Sequence, residues 1–321
     1  KILYWYDNNK RKLPWRKHVS KKQKQYFTLV SEFMLQQTQV KTVIPYFKNF
    51  VEKIPNIEKL AKVKNRKLMK CWEGLGYYSR ARNLKKTAQK VILNLKGNLP
   101  SSIEELKKLP GIGDYTSQAI SAIAFNKPII PLDGNVERVL KRVLYLKKEK
   151  EIIKENLNYE KSFFGASKRC SDYAQAIMEI GALICKPSNP VCLKCPISDY
   201  CVSFKKNDFQ IKSKNKFNKV KYFEAEIYKN KNKYLFIKNN KFNFLKNLLI
   251  FPMREINHSK FKSSLNKSIN IKMSNMDMMI KINKIKKHKY LNNSFLLGKN
   301  DLKNHILPSF TKKIFNSIKR H

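Results

Sequence analysis

Apolar residues recur at spacings near three and four through most of the chain before Cys201. Such spacing lines one face of a helix, so the pattern predicts short helices over Phe27–Thr38, Asn56–Leu60, Lys67–Trp72 and Ala81–Asn94. It predicts four more over Ile103–Leu109, Tyr115–Phe125, Asn135–Leu144 and Asp172–Ile184. Pro100-Ser101-Ser102-Ile103-Glu104-Glu105 combines a hydroxyl cap with acids in the first turn, as a helix start does. After Cys201 the texture changes. Lys205–Lys219 is basic, polar and aperiodic, and reads as a linker. Tyr222–Tyr228, Lys233–Lys238 and Leu248–Pro252 are short runs rich in β-branched and aromatic residues, which predicts strands, and Ser309–Ile318 predicts a closing helix. No internal repeat is visible. The plan is an all-α domain over residues 1–205, a linker over 206–220, and a smaller α+β domain over 221–321.

A length of 321 residues with 42% hydrophobic content supports packed cores of this kind. The formal charge of +45 changes the picture, because it favours a polyanionic partner, nucleic acid first and an anionic membrane surface second. Part of that charge is compositional. Lys, Asn and Ile are abundant everywhere, as in Lys229–Lys241, the pattern of a gene drifted toward AT-rich codons. No apolar run approaches the roughly 18 to 20 residues needed to span a bilayer. Asp7 and the aromatics of Lys1-Ile2-Leu3-Tyr4-Trp5-Tyr6-Asp7 break any signal-peptide core. The expectation is a cytoplasmic protein with no membrane partner.

Six cysteines are present, and four of them, Cys185, Cys192, Cys195 and Cys201, fall within 17 residues punctuated by Pro187, Pro190 and Pro196. In a cytosolic protein such crowding favours metal over disulfides. Four thiolates suit zinc or an iron–sulfur cluster. Only Cys192/Cys195 forms a CxxC pair, whereas zinc ribbons generally carry two. Cys71 and Cys170 lie in apolar helical settings and read as core.

Leu109-Pro110-Gly111-Ile112-Gly113 ends one helix and opens the next. It reads either as a plain connection with a glycine cap or as a turn whose exposed N–H groups, at a helix's positive end, hold a DNA phosphate. Two acids also stand out. Glu32 sits in the apolar helix Phe27-Thr28-Leu29-Val30-Ser31-Glu32-Phe33-Met34-Leu35, where burial would raise its pKa toward the range of a general acid. A half-buried ion pair is the other reading. Asp133, before Gly134-Asn135-Val136, reads as a helix N-cap or as an anion beside a cationic sugar. Cleaving a base from deoxyribose requires such a pair: an acid for the leaving base and a carboxylate for the oxocarbenium-like sugar.

These segments together resemble the MutY-type adenine DNA glycosylases of the helix-hairpin-helix superfamily. The resemblance rests on Ser31-Glu32-Phe33-Met34-Leu35-Gln36-Gln37-Thr38-Gln39-Val40, Gly74-Leu75-Gly76-Tyr77-Tyr78, Leu109–Gly113, Leu132–Val136, Gly181–Cys185 and the cysteine spacing. It is strong to about residue 205 and faint beyond. It implies one 4Fe–4S cluster on the four clustered cysteines, serving structure and DNA contact rather than chemistry. It implies catalytic Glu32, which protonates adenine, Asp133, which stabilises the sugar cation or its adduct, and supporting Asn135. Tyr115 stands where bifunctional relatives carry a lysine, so no Schiff base is available and strand cleavage is not expected. DNA contacts fall to Gln36, Gln37, Thr38, Tyr77, Gly111 and Gly113, with Gln36 intercalating and Tyr77 wedging beside oxidised guanine. From chemistry alone Tyr77 and Tyr78 would read as core packing after a glycine turn. Arg16 and Gln175 are candidates for the adenine pocket.

The implied fold is an all-α glycosylase domain with an iron–sulfur loop, followed by a degenerate Nudix-like α+β domain for lesion recognition. A helical subdomain of about 20–128 faces a second one, built from the N-terminal segment and 129–205, with DNA in the cleft where Glu32 and Asp133 meet. The implied partner is double-stranded DNA holding adenine opposite 8-oxoguanine or guanine, bound by a monomer. There are departures. Lys17–Gln25 is long and lysine-rich, with the family's Asp-Pro-Tyr reduced to Gln25-Tyr26. The Phe-Ser-His loop that reads the lesion is not recognisable, and Ser274-Asn275-Met276 falls near its place, so a weaker preference for oxidised guanine is expected. The acids after Cys201 (Asp208, Glu224, Glu226, Glu255, Asp277 and Asp301) are never clustered, which argues against a Nudix pyrophosphatase. The rival readings are an endonuclease III-like glycosylase/lyase and a non-catalytic DNA-binding iron–sulfur protein.

Overall fold

The computed structural model describes residues 1–146, 167–209, 219–262, 267–273, 276–288 and 293–319. Two compact units emerge: Lys1–Lys64 with Ser79–Ser213, and Asn65–Tyr78 with Lys214–His321.

The first unit is helical among its described residues. It comprises α1 (Ile2–Asn9), α2 (Lys21–Leu35), α3 (Val40–Lys53), α4 (Ile57–Lys62), α6 (Tyr78–Asn94, entering from the other unit), α7 (Ile103–Lys107), α8 (Asp114–Phe125), α9 (Gly134–Val143), α10 (Cys170–Leu183) and the short α11 (Val202–Lys205). Local chemistry explains several starts. The Ser102 hydroxyl accepts from Glu105 N at 3.2 Å and opens α7. Ser20 likewise caps α2, so the lysine-rich stretch from Lys21 forms the first turns of the helix that carries Glu32. That helix therefore begins six residues before the predicted Phe27, and ends at Leu35 rather than Thr38. Asn126 closes α8 in the left-handed conformation and ties it to α10, accepting from Ser171 N at 2.8 Å. α9 and α10 build one core from Val136, Val139, Leu140, Ile177, Ile180 and Ile184, against which Ile2 and Trp5 of α1 pack.

The second unit holds α5 (Asn65–Cys71) and a seven-stranded mixed sheet: β1 (Lys219–Asn230), β2 (Lys233–Lys238), β3 (Leu249–Ile250), β4 (Met253–Ile256), β5 (Ser268–Met273), β6 (Met276–Ile285) and β7 (Ser294–Gly298). Its main path runs β3-β2-β1-β6-β5, with β4 beside β1 and β7 beside β2. β1 and β6 run parallel, Phe223 opposite Ile280 and Ala225 opposite Ile282. That register sends Phe223, Ala225 and Ile227 into one core with Met278, Ile280 and Ile282. The helices of this half are α12 (His258–Lys262), α13 (Lys299–Leu302) and α14 (Ser309–Lys319). α14 covers the core with Phe310, Ile314 and Phe315, and the Thr311 hydroxyl donates to Leu249 O at 2.8 Å.

Among the described residues, no helix is long and apolar enough to cross a membrane.

Candidate active site and cysteine cavity

A cavity of about 1430 Å³ opens in the helical unit, and it gathers nine of the residues singled out in the sequence: Arg16, Glu32, Gln36, Gln37, Thr38, Tyr115, Asp133, Asn135 and Gln175. Glu32 projects from α2 and is 5% exposed. Burial, then the negative charge of Asp133, push its carboxyl up to about 7, against a smaller opposing pull from Arg16. Tyr115, in the first turn of α8, feels both acids, and burial first and then Glu32 and Asp133 raise its phenol well above the ordinary value. Asp133 is the N-cap of α9: its Oδ1 accepts from Asn135 N at 2.9 Å and Val136 N at 2.7 Å. Its Oδ2 accepts from Asn135 Nδ2 at 3.2 Å. Asp133 is thus a helix cap that also lines the cavity. Gln175 is buried and donates to Ser171 O at 3.2 Å.

Beside the cavity, the hairpin Leu109–Gly113 is braced by two side chains. Thr87 Oγ1 donates to Pro110 O at 2.8 Å, and Gln36 Nε2 donates to Gly111 O and Thr116 Oγ1, both at 3.2 Å. Gly111 has φ +81°, and a Cβ there would sit 2.8 Å from Asn83 Cβ and 2.9 Å from Phe33 Cε1. Nothing lies within 4 Å of a Cβ built on Gly113, the N-cap of α8, so the turn is open on that side. Gln37, next to Gln36, is exposed and holds φ +56°, sparsely populated for a residue with a side chain.

Within the second unit, Tyr78 is buried, whereas Tyr77 is 39% exposed at φ +46°. Core packing therefore accounts for Tyr78 and not for Tyr77. Of the segment matched to the lesion-reading loop, Ser274 and Asn275 lie outside the described residues, and Met276 begins β6.

Cys185, Cys192, Cys195 and Cys201 ring a second, small cavity walled by Val139, Ile180, Ile184, Ile197 and Phe204. Burial raises the thiols of Cys192 and Cys201 and takes Cys195 to about 11. Among the described residues, no three such side chains are spaced to hold a single metal ion. Arg142 reaches into the ring of thiols, donating to Cys185 Sγ at 3.4 Å and Lys186 O at 2.6 Å. Arg138 connects the two cavities, donating to Cys185 O at 2.7 Å and Asn135 Oδ1 at 2.9 Å.

The profile of the HhH-GPD superfamily base excision DNA repair proteins matches residues 30–161. An adenine DNA glycosylase of Buchnera aphidicola subsp. Schizaphis graminum (strain Sg) is 36% identical over 331 residues, covering 99% of this chain and 90% of that protein. The chain belongs to the adenine DNA glycosylase family. A second family member, from Buchnera aphidicola subsp. Baizongia pistaciae (strain Bp), is 41% identical over 259 residues, 78% of this chain and 72% of its own length. In fold, this adenine DNA glycosylase family member is similar to a thermostable thymine-DNA glycosylase, with TM-score 0.57 and 28% identity over 64% of this chain and 94% of that one.

Sequence reasoning missed two residues of this glycosylase's cavity. Glu179 of α10 is fully buried and receives Arg11 through two bonds of 2.8 Å and Arg16 at 2.9 Å. Burial works to raise its pKa, but the two guanidiniums prevail and hold the carboxyl below its ordinary value. The signal was available: Glu179 interrupts the apolar run Ala174–Leu183 as Glu32 interrupts its own.

Proposed function

We propose that this chain is a monofunctional adenine DNA glycosylase of base excision repair, hydrolysing the bond between adenine and deoxyribose in mispairs with 8-oxoguanine or guanine. One observation carries the reading: a buried carboxyl with a pKa near 7 shares a cavity wall with a second carboxylate held rigidly by a helix cap. Glu32 is half protonated at neutral pH and gives its proton to adenine as the glycosidic bond breaks. Asp133, fixed by Asn135 and Val136, faces the sugar as positive charge develops there. Water replaces the base at the sugar carbon and its proton goes to Glu32, restoring the acid. Tyr115 offers no amine for a Schiff base, so the strand remains intact.

The cavity rim includes Lys10, Lys12, Lys24, Lys41 and Lys48, which suits the phosphates of duplex DNA. Gly111 and Gly113 hold a phosphate through backbone N–H groups, Gln36, Gln37 and Thr38 fill the space left by the extruded base, and Tyr77 stacks beside its partner. Arg16, held by Glu179, and Gln175 border the adenine. Cys185, Cys192, Cys195 and Cys201 would hold a 4Fe–4S cluster, which supplies a structural anchor for the loop when bound. In domain terms, residues 1–205 do the chemistry and 221–321 serve lesion recognition, in a monomer working with the chromosomal DNA.

The deciding assay is single-turnover cleavage of duplexes holding adenine opposite 8-oxoguanine, adenine opposite guanine, or thymine glycol, resolved with and without hot alkali. Adenine release that gives breaks only after alkali is expected. Breaks without alkali, or action at thymine glycol alone, would place the chain on the endonuclease III branch.

A further inference from the structure

The segment that carries Tyr77 is packed with the C-terminal third of the chain, as one unit with Lys214–His321. Two polar ties fasten it there. The Glu73 carboxylate, only 9% exposed, pairs with Lys70 Nζ at 2.6 Å and with Lys312 Nζ of α14 at 2.8 Å. Arg66 Nη2 donates to Asn304 O at 3.2 Å. Burial pulls the Glu73 carboxyl upward, and the two ammonium groups prevail, so it stays ionised below its ordinary range. Lys312 has a firm base, because its neighbours Phe310, Thr311 and Ile314 are all sunk in the sheet unit's core.

From Glu73 to Tyr77 the chain is one braced turn. Gly74 and Gly76 hold φ +102° and +79°, Trp72 Nε1 donates to Gly76 O at 3.1 Å, and Gly74 N donates to the Tyr78 hydroxyl at 3.3 Å. Tyr77 ends that turn in the left-handed region, a conformation that persists only where surroundings over-determine it. Glu73 directly precedes Gly74 and stands four residues before Tyr77, so a fastener on Glu73, on a turn this tight, bears on the angle at which Tyr77 leaves the surface. We infer that α14, through the Lys312–Glu73 pair, sets the presentation of Tyr77 to DNA, so that Lys312 and Glu73 are positioning residues for the wedge. This rests on the reading of Tyr77 as a DNA wedge. It gives the C-terminal third a mechanical part in mispair opening that needs no contact of its own with the lesion.

The test uses the full chain and a duplex with 2-aminopurine stacked beside 8-oxoguanine opposite adenine. Its fluorescence reports unstacking on binding without any bond being cut. Lys312→Met should reduce the fluorescence change and the single-turnover rate by roughly fivefold, inside the range of couplings between contacting residues. Lys312→Arg, which keeps the charge and reach, should restore both. In a Tyr77→Ala background Lys312→Met should have no further effect. The inference is overturned if Lys312→Met leaves fluorescence unchanged, if its effect is as large in the Tyr77→Ala background, or if Tyr77→Ala itself leaves the signal intact. Absence of adenine release by the wild-type chain would sink the proposed activity, while the fluorescence comparison would still decide the role of Lys312.

Discussion

Replacing Glu32 by glutamine should abolish adenine release and at the same time stabilise the protein in alkali. A carboxyl whose pKa moves from 4.5 to about 7 on folding has its charged form disfavoured by about 3 kcal/mol, at about 1.4 kcal/mol per tenfold. The sign follows from linkage. The folded state holds the proton more tightly than the unfolded one, so stability is complete below about pH 4.5 and is lost as pH rises through about 7. Glutamine keeps the shape and never ionises. Urea unfolding of wild type and Glu32→Gln at pH 5 and pH 8.5 isolates this effect, since other titrating groups cancel in the difference. The two proteins should lie within about 1 kcal/mol of each other at pH 5, and the variant should be more stable by roughly 3 kcal/mol at pH 8.5. In parallel, the wild-type single-turnover rate should fall as pH rises above about 7, where the acid ionises, while DNA binding by Glu32→Gln survives. A stability difference that does not vary with pH, or a variant weaker than wild type at pH 8.5, would refute the account of Glu32 as a desolvated acid.

Gly111→Ala should cost roughly 2 to 4 kcal/mol of stability by urea unfolding, because the new methyl meets Asn83 and Phe33 on a backbone of positive φ. Gly181→Ala places a Cβ 2.9 Å from Asn135 Cβ and 3.0 Å from its carbonyl oxygen. It should lower the single-turnover rate at least about tenfold by displacing Asn135, with DNA affinity little changed in a binding titration. Asp133→Asn should preserve the α9 cap, since asparagine caps nearly as well, and hold thermal stability within about 0.5 kcal/mol while the rate falls roughly 100-fold or more. Equal losses of folding and rate in that variant would mean that Asp133 acts only as a cap.

What was legible in the chain was local. Periodicity located α6, α8, α9 and α10 because enough apolar residues recur at helical spacing in each, even with Glu179 set into the run of α10. It passed over α3, where Pro45 breaks the pattern inside Val40–Lys53, and α1, which is short. It passed over β6 as well, because Lys281 and Lys284 dilute a strand whose parallel partner β1 lies some fifty residues earlier in the chain. Non-local pairing leaves little trace in a local pattern. The same limit applies to the site. Glu32 and Asp133 were each visible as an oddity, an acid in an apolar helix and an acid before Gly-Asn. That they share one wall is a product of packing between α2, α8 and the start of α9. Glu179 and its two arginines needed the same step, and the Glu73–Lys312 tie even more so.

The two carboxylates that the proposed mechanism pairs stand in opposite environments. Glu32 is destabilising where it stands: α2 surrounds it with apolar neighbours and Asp133 repels its charge. Asp133 is stabilising where it stands, because two backbone N–H groups and the Asn135 amide hold its oxygens. One acid thereby holds its proton up to about pH 7 and the other is held in place, the division that the proposed cleavage of a glycosidic bond uses. Neither environment serves without the other. If Glu32 were solvated it would ionise at neutral pH and have no proton to give. If Asp133 were free of its cap, its carboxylate would lose the backbone N–H groups that fix its place in the cavity. Under the proposed mechanism the cap and the chemistry use the same atoms of Asp133: Oδ1 accepts from Asn135 N and Val136 N while the carboxylate lines the cavity, so a cap in this chain is also a candidate for chemistry.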